Sequence, residues 1–235
     1  VKLELLAALN AERAARRAAI VVTDLASGDG ELVRAADLAT GRHDGAALGA
    51  ALAEGFRSGR SGSVEIDGRR LFLSVTTPPI RLIAVGAVHI SQALAPFARE
   101  LQFDMTVIDP RLSFATPERF PGVPVIAEWP DEAMPTLGVD RFTAFVALTH
   151  DPKIDDPGLA HALRSECFYI GALGSRKTHA KRLERLAAHG FDEAATARIH
   201  APIGLDIGAV SPAEIALSIA GEIVAAMREK RRASA

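Results

Sequence analysis

Through the second half of this chain, short apolar runs that each end in a Gly-rich or charged cluster alternate with segments whose apolar residues recur at helical spacing. Leu82 to Val85 runs into GAVHIS (86 to 91), and Met105 to Ile108 into Asp109-Pro110-Arg111. Phe145 to Leu148 runs into Thr149-His150-Asp151, and Cys167 to Leu173 into Gly174-Ser175-Arg176-Lys177. Runs this short, set between helical patterns, predict buried parallel strands. The pattern places strands at 82–86, 104–109, 123–126, 143–148 and 167–171, and helices at 88–101, 157–165, 175–189 and 212–229. Right-handed crossovers then give a doubly wound α/β sheet. Its strands share one carboxyl edge, where ligands bind, so four clusters distant in sequence are expected at one site.

The first part of the chain reads differently. Leu5, Leu6 and Leu9 lie at helical spacing, and Arg13, Arg16 and Arg17 suit a helix C-terminus. A strand is expected at 18–25, a turn through Ser27, Gly28, Asp29 and Gly30, and a helix at 46–56. Val64 to Ile66 and Leu71 to Val75 predict a hairpin around Asp67-Gly68, because Asp-Gly tolerates the positive φ values of a tight turn. Thr76-Thr77-Pro78-Pro79 neither continues a strand nor starts a helix easily. The expected organisation is a small α+β domain at 1–77 and a Rossmann-like domain at 80–235. In the last helix Ile215, Ile219 and Ile223 make an apolar stripe. The neighbouring stripe of Glu214, Ser218 and Glu222 reads as a solvated face or a dimer rim.

Charge and composition narrow the function classes. A formal net charge of -2 gives no electrostatic case for nucleic acid, and the one basic run, 228–232, reads as a solvated helix end. No apolar stretch reaches the roughly 18 residues of a membrane span, and Val1-Lys2-Leu3-Glu4 lacks signal-peptide order, so a cytoplasmic location is expected. The single cysteine, Cys167, excludes an internal disulfide and any Cys-cluster metal site; in a buried strand it reads as a packing residue.

The loops carry the candidate chemistry. A dinucleotide fingerprint needs three small residues after its first strand. Gly86 supplies the first, but Val88 stands where the backbone must approach a pyrophosphate, and Ser91 takes the third place. The loop therefore either binds a dinucleotide in degraded form, binds another anion, or presents His89. Asp109 lies 23 residues after Gly86, where an acid can accept from ribose hydroxyls, and Arg111 can add a phosphate or carboxylate contact; the alternative is an Asp-Pro turn closing the strand. His150, beside Thr149 and Asp151, is either hydrogen-bonded scaffolding or a catalyst or ligand at the functional edge. No HExxH, P-loop or Gly-x-Ser-x-Gly pattern accompanies it. The GALGSRK stretch is more specific: Gly171, Ala172 and Gly174 bare the backbone N–H groups, Ser175 can cap a helix, and Arg176 and Lys177 add positive charge. That combination reads as an anion site, the alternative being a plain helix cap. Asp206, in a loop with Gly204 and Gly208, is either a helix cap or a ligand contact.

Together these residues resemble a known family, the xanthine dehydrogenase accessory proteins XdhC/CoxI. GAVHIS with VIDPR (107–111), LTHDPKID (148–155), YIGALGSRKTHAKR (169–182) and APIGLDIGAVSPAEIALSIAGEI (201–223) carry the resemblance, which spans roughly 80–225. Residues 1–79 contain neither the Gly-Ser-x-Pro-Arg stretch nor the Gly-Gly-Cys segment of longer members, so a subfamily with a short N-terminal part is expected. The resemblance implies a non-catalytic chaperone that binds molybdenum cofactor, as molybdopterin or its dinucleotide form. It implies delivery of that cargo, after or during sulfuration, to the apo-enzyme of a xanthine dehydrogenase or CO dehydrogenase-type molybdenum hydroxylase. A cysteine desulfurase and a second copy of the chain, in a homodimer, are the further expected partners; nucleic acid and membrane are not. The cofactor-binding residues expected are Gly86, His89, Asp109, Arg111, His150, Gly174, Ser175, Arg176, Lys177 and Asp206, with no metal ligands. The rivals are an oxidoreductase using NAD(P) or FAD and a scaffold that holds no cofactor.

Overall fold

The computed structural model describes residues 3–40 and 45–232. It divides into two units, 1–78 with 229–235, and 79–228.

In the first unit, α1 (Leu3–Ala14) precedes an antiparallel sheet of β1 (Ala19–Asp24), β2 (Gly30–Arg34), β3 (Gly62–Ile66) and β4 (Arg69–Thr76), in the order β2-β1-β4-β3. Helices α2 (Ala35–Ala39) and α3 (Ala46–Ser58) connect β2 to β3. The β3–β4 hairpin turns where expected: Asp67 and Gly68 have φ of 51° and 73°, the pair of positive values a two-residue turn needs. Ile20, Val33, Leu52 and Leu73 form its small core. Under α1, the buried Glu12 takes Arg17 and Arg34 at 2.6 and 2.8 Å, which hold its carboxyl at about 2 against the cost of burial.

The second unit is a six-stranded sheet, parallel throughout. Its strands are β5 (Arg81–Val85), β6 (Asp104–Ile108), β7 (Val125–Ile126), β8 (Thr143–Ala147), β9 (Tyr169–Ala172) and β10 (Ile199–His200). They run in the order β10-β9-β8-β5-β6-β7. Counted from β5, this is the dinucleotide-fold order 3-2-1-4-5-6, with its switch point between β5 and β8. Alternate residues of β5 face opposite layers, as the strand period of two requires. Leu82 and Ala84 pack with α4 (His89–Glu100) and α9 (Pro212–Arg232) through Leu94, Ala98, Ile219 and Ile223. Ile83 and Val85 join the other layer, with α5 (Pro130–Leu137), α6 (Pro152–Arg164) and α7 (Arg176–Ala188). Helices on both faces make the doubly wound, Rossmann-like sheet expected.

Some elements differ from expectation. Helix α6 begins at Pro152 rather than 157, because Asp151 caps it by accepting from the Lys153 N–H at 2.9 Å and Pro152 sits in the first turn, where no N–H is missed. Helix α5 likewise opens on Pro130. Strand β2, the short helices α2 and α8 (Glu193–Thr196), and the two-residue β10 carry too little periodicity to be foreseen.

Candidate functional site

Two strand–loop–helix junctions at the carboxyl edge are built from similar parts. The first follows β5. Gly86 has φ of 116°, and a Cβ there would stand 2.8 Å from Thr149 Cγ2 and 3.3 Å from the Thr149 backbone nitrogen. Glycine is thus required by the close passage of the β8 loop at the switch point. The polar groups of this junction are engaged with one another. Asp109, fully buried, accepts from Ala87 N–H at 2.7 Å and from Arg111 through its backbone N–H at 3.0 Å, Nε at 2.9 Å and Nη2 at 2.7 Å. Burial pushes its carboxyl up, but the Arg111 guanidinium and the two N–H donors outweigh that and hold it below the ordinary range. Arg111 also lies over the Phe114 ring, 4.4 Å from its centroid. Ser91 Oγ accepts from Val88 N–H at 2.9 Å and lies 2.6 Å from the Gly86 carbonyl, while Arg119 donates to the Ala87 carbonyl at 2.8 Å. His89, exposed at the start of α4, has no side-chain hydrogen bond among the described residues.

Asp109 therefore leaves no open oxygen for a ribose; it closes the loop on itself. In this structure the Asp-Pro-Arg cluster is arranged as the turn reading expects, with both Asp109 oxygens engaged within the loop.

The second junction lies where the β8 and β9 loops enter α6 and α7. His150 adopts a left-handed backbone (φ 64°), held because the buried Asp155 accepts from the Thr149 N–H at 3.2 Å, the Thr149 hydroxyl at 2.7 Å and the His150 N–H at 3.0 Å. Burial raises the Asp155 carboxyl above the ordinary range, and those donors offset it only partly. Gly174 (φ 134°) turns the chain into α7, and Ser175 caps it by accepting from the Thr178 N–H at 3.2 Å. Between α6 and α7 lies a cavity of about 300 Å³, walled by His150, Asp155 and Asp156 on one side and by Lys177, Lys181, Arg182 and Arg185 on the other.

Arg182 is the unusual member. Its side chain is 2% exposed; Nη2 donates to the Leu173 carbonyl at 2.8 Å and stands 4.0 Å from Asp155, while Nε and Nη1 are buried with no partner among the described residues. Buried guanidinium nitrogens without a partner are costly, and native proteins meet such groups with an ordered water, an ion or a ligand. Arg185 is fully engaged: it donates to Asp156 at 2.5 and 3.1 Å. Of the expected phosphate residues, Gly174 and Ser175 shape the turn and Lys177 lines the cavity, whereas Arg176 is exposed and stands outside its lining. The sequence reading missed Lys181, Arg182 and Arg185. For Lys181 and Arg185 the signal was the spacing of four and eight residues from Lys177, which puts 177, 181 and 185 on one helical face.

On the opposite face of the sheet a third group overturns the reading of Glu222 as part of a solvated stripe. Its side chain, 17% exposed, accepts from Tyr169 Oη at 2.5 Å and Gly204 N–H at 2.7 Å, and pairs with His200 Nδ1 at 3.1 Å. Burial opposes ionisation, but the His200, Tyr169 and Gly204 donors bring the carboxyl below its ordinary range. The Tyr169 and His200 rings pack 4.7 Å apart. Ser218, from the same stripe, is also buried. Asp206 is exposed and is not a helix cap; Ser211 and Glu214 cap α9 by accepting from the Glu214, Val210 and Ser211 N–H groups.

A model of the XdhC Rossmann domain matches residues 82–223, the whole of the sheet just described and both junctions. The chain belongs to the XdhC family. Among its relatives, the Escherichia coli protein YqeB is 34% identical over 156 residues, covering 66% of this chain and 28% of YqeB. The molybdenum cofactor insertion chaperone PaoD of Escherichia coli is 31% identical over 146 residues, 62% of this chain and 40% of PaoD. A Bacillus subtilis protein named as a probable xanthine dehydrogenase subunit is 30% identical over 155 residues, 66% of this chain and 45% of that protein. This XdhC chain thus spans less than half the length of each. A Bacillus halodurans crystal structure described as a xanthine dehydrogenase superposes with a TM-score of 0.69 at 21% identity, covering 99% of this chain and 66% of that one, which shows a shared fold. Among the described residues no helix is long and apolar enough to cross a membrane, and Cys167 is buried.

Proposed function

We propose that this XdhC-family chain binds molybdenum cofactor at the carboxyl edge of its parallel sheet and hands it to the apo-enzyme of a xanthine dehydrogenase or CO dehydrogenase-type hydroxylase, after or during sulfuration by a cysteine desulfurase. The relative named a molybdenum cofactor insertion chaperone and the one named as part of a xanthine dehydrogenase support this role. The observation that carries it is the cavity between α6 and α7. There a buried guanidinium with two unpaired nitrogens meets two lysines beside a capped helix start, an arrangement that answers the phosphate of a pterin cargo. Lys177, Lys181 and Arg182 hold the phosphate, with Gly174 and Ser175 fixing the turn. His150 and His89 face the pterin, and Asp206 closes the loop side. Gly86, Asp109 and Arg111 act indirectly, by fixing the β5 loop that presents His89.

The test is purification from a molybdate-fed host, with bound pterin and molybdenum measured per chain and activation of the hydroxylase apo-enzyme followed. The parent is expected to carry both. Charge-assisted hydrogen bonds contribute roughly 1.5–3 kcal/mol each, so Lys177→Ala with Lys181→Ala lowers cofactor affinity by about 10²-fold or more. A parent that binds neither pterin nor molybdenum, or one that instead binds NAD(P) or FAD stoichiometrically, overturns the proposal; the second result makes the chain a nucleotide-dependent protein.

A further inference from the structure

The charge inventory of the α6–α7 cavity specifies more than an anion. Four cationic side chains, Lys177, Lys181, Arg182 and Arg185, face two carboxylates, Asp155 and Asp156, which leaves two positive charges in excess. The distribution matters as much as the sum. Asp156 is consumed by Arg185, and Asp155 by the Thr149 and His150 donors. Lys177 and Lys181 have no ion-pair partner among the described residues, and Arg182 has only the 4.0 Å approach to Asp155. Lys177 and Lys181 lie one helical turn apart, roughly 5–6 Å between Cβ atoms, so their ammonium groups can converge on a single phosphorus beside the buried Arg182. Helix α7 runs 13 residues, with its capped N-terminus on the same side. At about 300 Å³ the cavity is at the small end of ligand sites, which run from roughly 300 to 1,000 Å³.

We infer that this cavity selects a terminal phosphate monoester, with two negative charges on one phosphorus and a substituent on one side only, over a phosphate diester. The inference rests on the cargo reading above and deepens it: the form held is molybdopterin through its own terminal phosphate. The dinucleotide form, in which each phosphorus of the diphosphate bridge carries one charge and is substituted on both sides, is disfavoured. A monoester is mostly dianionic above pH of about 6, whereas a diester carries one charge at any such pH.

The test uses methyl phosphate and dimethyl phosphate as probes, titrated at pH 8 into the parent chain and into Lys181→Gln and Arg182→Met, with binding followed by NMR shifts of the amides at 174–178. Methyl phosphate is expected to bind at least about tenfold more tightly than dimethyl phosphate, since the second charge meets unneutralised cations. Lys181→Gln, a change at an exposed position that keeps the fold, is expected to remove most of that preference. Equal binding of the two esters, no binding of methyl phosphate, or a preference that survives in Lys181→Gln each overturns the inference; Arg182→Met adds a second reading wherever it folds. Failure here is separable from failure of the cargo role. A chain that copurifies with pterin but shows no ester preference keeps the role and loses this inference, and one that prefers methyl phosphate yet never binds pterin keeps the monoester selectivity and loses molybdopterin as its ligand.

Discussion

The junction after β5 and the junction after β9 share a plan: a parallel strand, a glycine of positive φ, a serine at the helix start and an arginine close by. They differ in what is left over. Around Gly86, the Asp109 carboxylate accepts from the Ala87 N–H and the Arg111 guanidinium, and the Ser91 hydroxyl accepts from the Val88 N–H and donates to the Gly86 carbonyl. Around Gly174, the serine caps its helix, but Arg182 keeps two buried nitrogens unpaired and two lysines have no acid among the described residues. If the proposed site is right, the nucleotide-like motif marks the junction that folding has already satisfied. Binding capacity follows from donors that folding leaves unsatisfied, because a donor already bonded must be stripped before it can serve a ligand.

The sharpest way to break this comparison is Asp109→Ala. It removes a fully buried acceptor and strands Ala87 N–H and Arg111, a change that costs roughly 3–5 kcal/mol. Denaturant unfolding is expected to show that loss, with methyl phosphate affinity unchanged in the molecules that fold. The pH dependence has a definite sign. Because the folded Asp109 is held below its ordinary value, its stabilisation is present above that ordinary value, near 3.8, and disappears as pH falls through the lower folded one. Asp155, raised by burial, has the opposite sign: its charged form costs stability above its folded value, and acid relieves the cost. Asp109→Asn is expected to flatten the acid limb of the stability curve, and an unaltered limb places the titration elsewhere.

Next in size is Glu222→Ala. Stranding the Gly204 N–H and Tyr169 hydroxyl costs about 2–4 kcal/mol, since each unsatisfied buried group costs roughly 1–3 kcal/mol. Glu222→Gln keeps one acceptor oxygen and is expected to lose less than half as much. A solvated face, by contrast, gives changes within about 0.5 kcal/mol for both variants.

That group also shows where sequence reasoning runs out. The strands β5, β6, β8 and β9 were legible because a strand covered on both faces is a near-continuous apolar run, and each run ends in a glycine-rich or charged cluster. The hairpin at Asp67-Gly68 was legible from backbone chemistry alone. Glu222 was not, because its burial is decided by the Gly204 loop and Tyr169, which are remote in sequence. Helix α6 was expected to start at Pro157, yet it starts at Pro152, where a first-turn proline costs a helix nothing, and carries Pro157 inside it. The proposed anion site was half legible: Gly174, Ser175 and Lys177 announce themselves as a loop, while Lys181 and Arg182 belong to a helical face that a loop motif does not cover.

A matched pair of cap removals sharpens the comparison at smaller cost. Ser91→Ala is expected to destabilise by about 1–2 kcal/mol, because Ser91 is buried and the Val88 N–H loses its acceptor. Ser175→Ala, at an exposed cap, is expected to cost about 0.5–1 kcal/mol. The functional effects should invert. Ser175→Ala loosens the turn that carries Lys177 and weakens methyl phosphate binding a few-fold, and Ser91→Ala leaves it unchanged. Thermal melts with and without methyl phosphate read both quantities, and equal ligand effects for the two serines would remove the distinction between the junctions.

The smallest effect expected is at Arg176. From the motif alone it ranks with Lys177, since both are basic and both follow the capping serine. In the structure Arg176 opens α7 exposed and outside the cavity lining, while Lys177 is part of it. A cation in the first turn opposes the positive end of the helix dipole, an interaction of roughly 0.3–1 kcal/mol. Arg176→Ala is therefore expected to raise stability by a few tenths of a kcal/mol and to change methyl phosphate affinity by less than about threefold. Lys177→Ala shares the stability gain but loses about tenfold or more in affinity, one charge-assisted hydrogen bond being worth roughly 1.5–3 kcal/mol. Parallel titrations of the two single variants decide it: equal losses make the phosphate a ligand of the whole basic loop, and unequal ones leave it in the cavity with Lys177, Lys181 and Arg182.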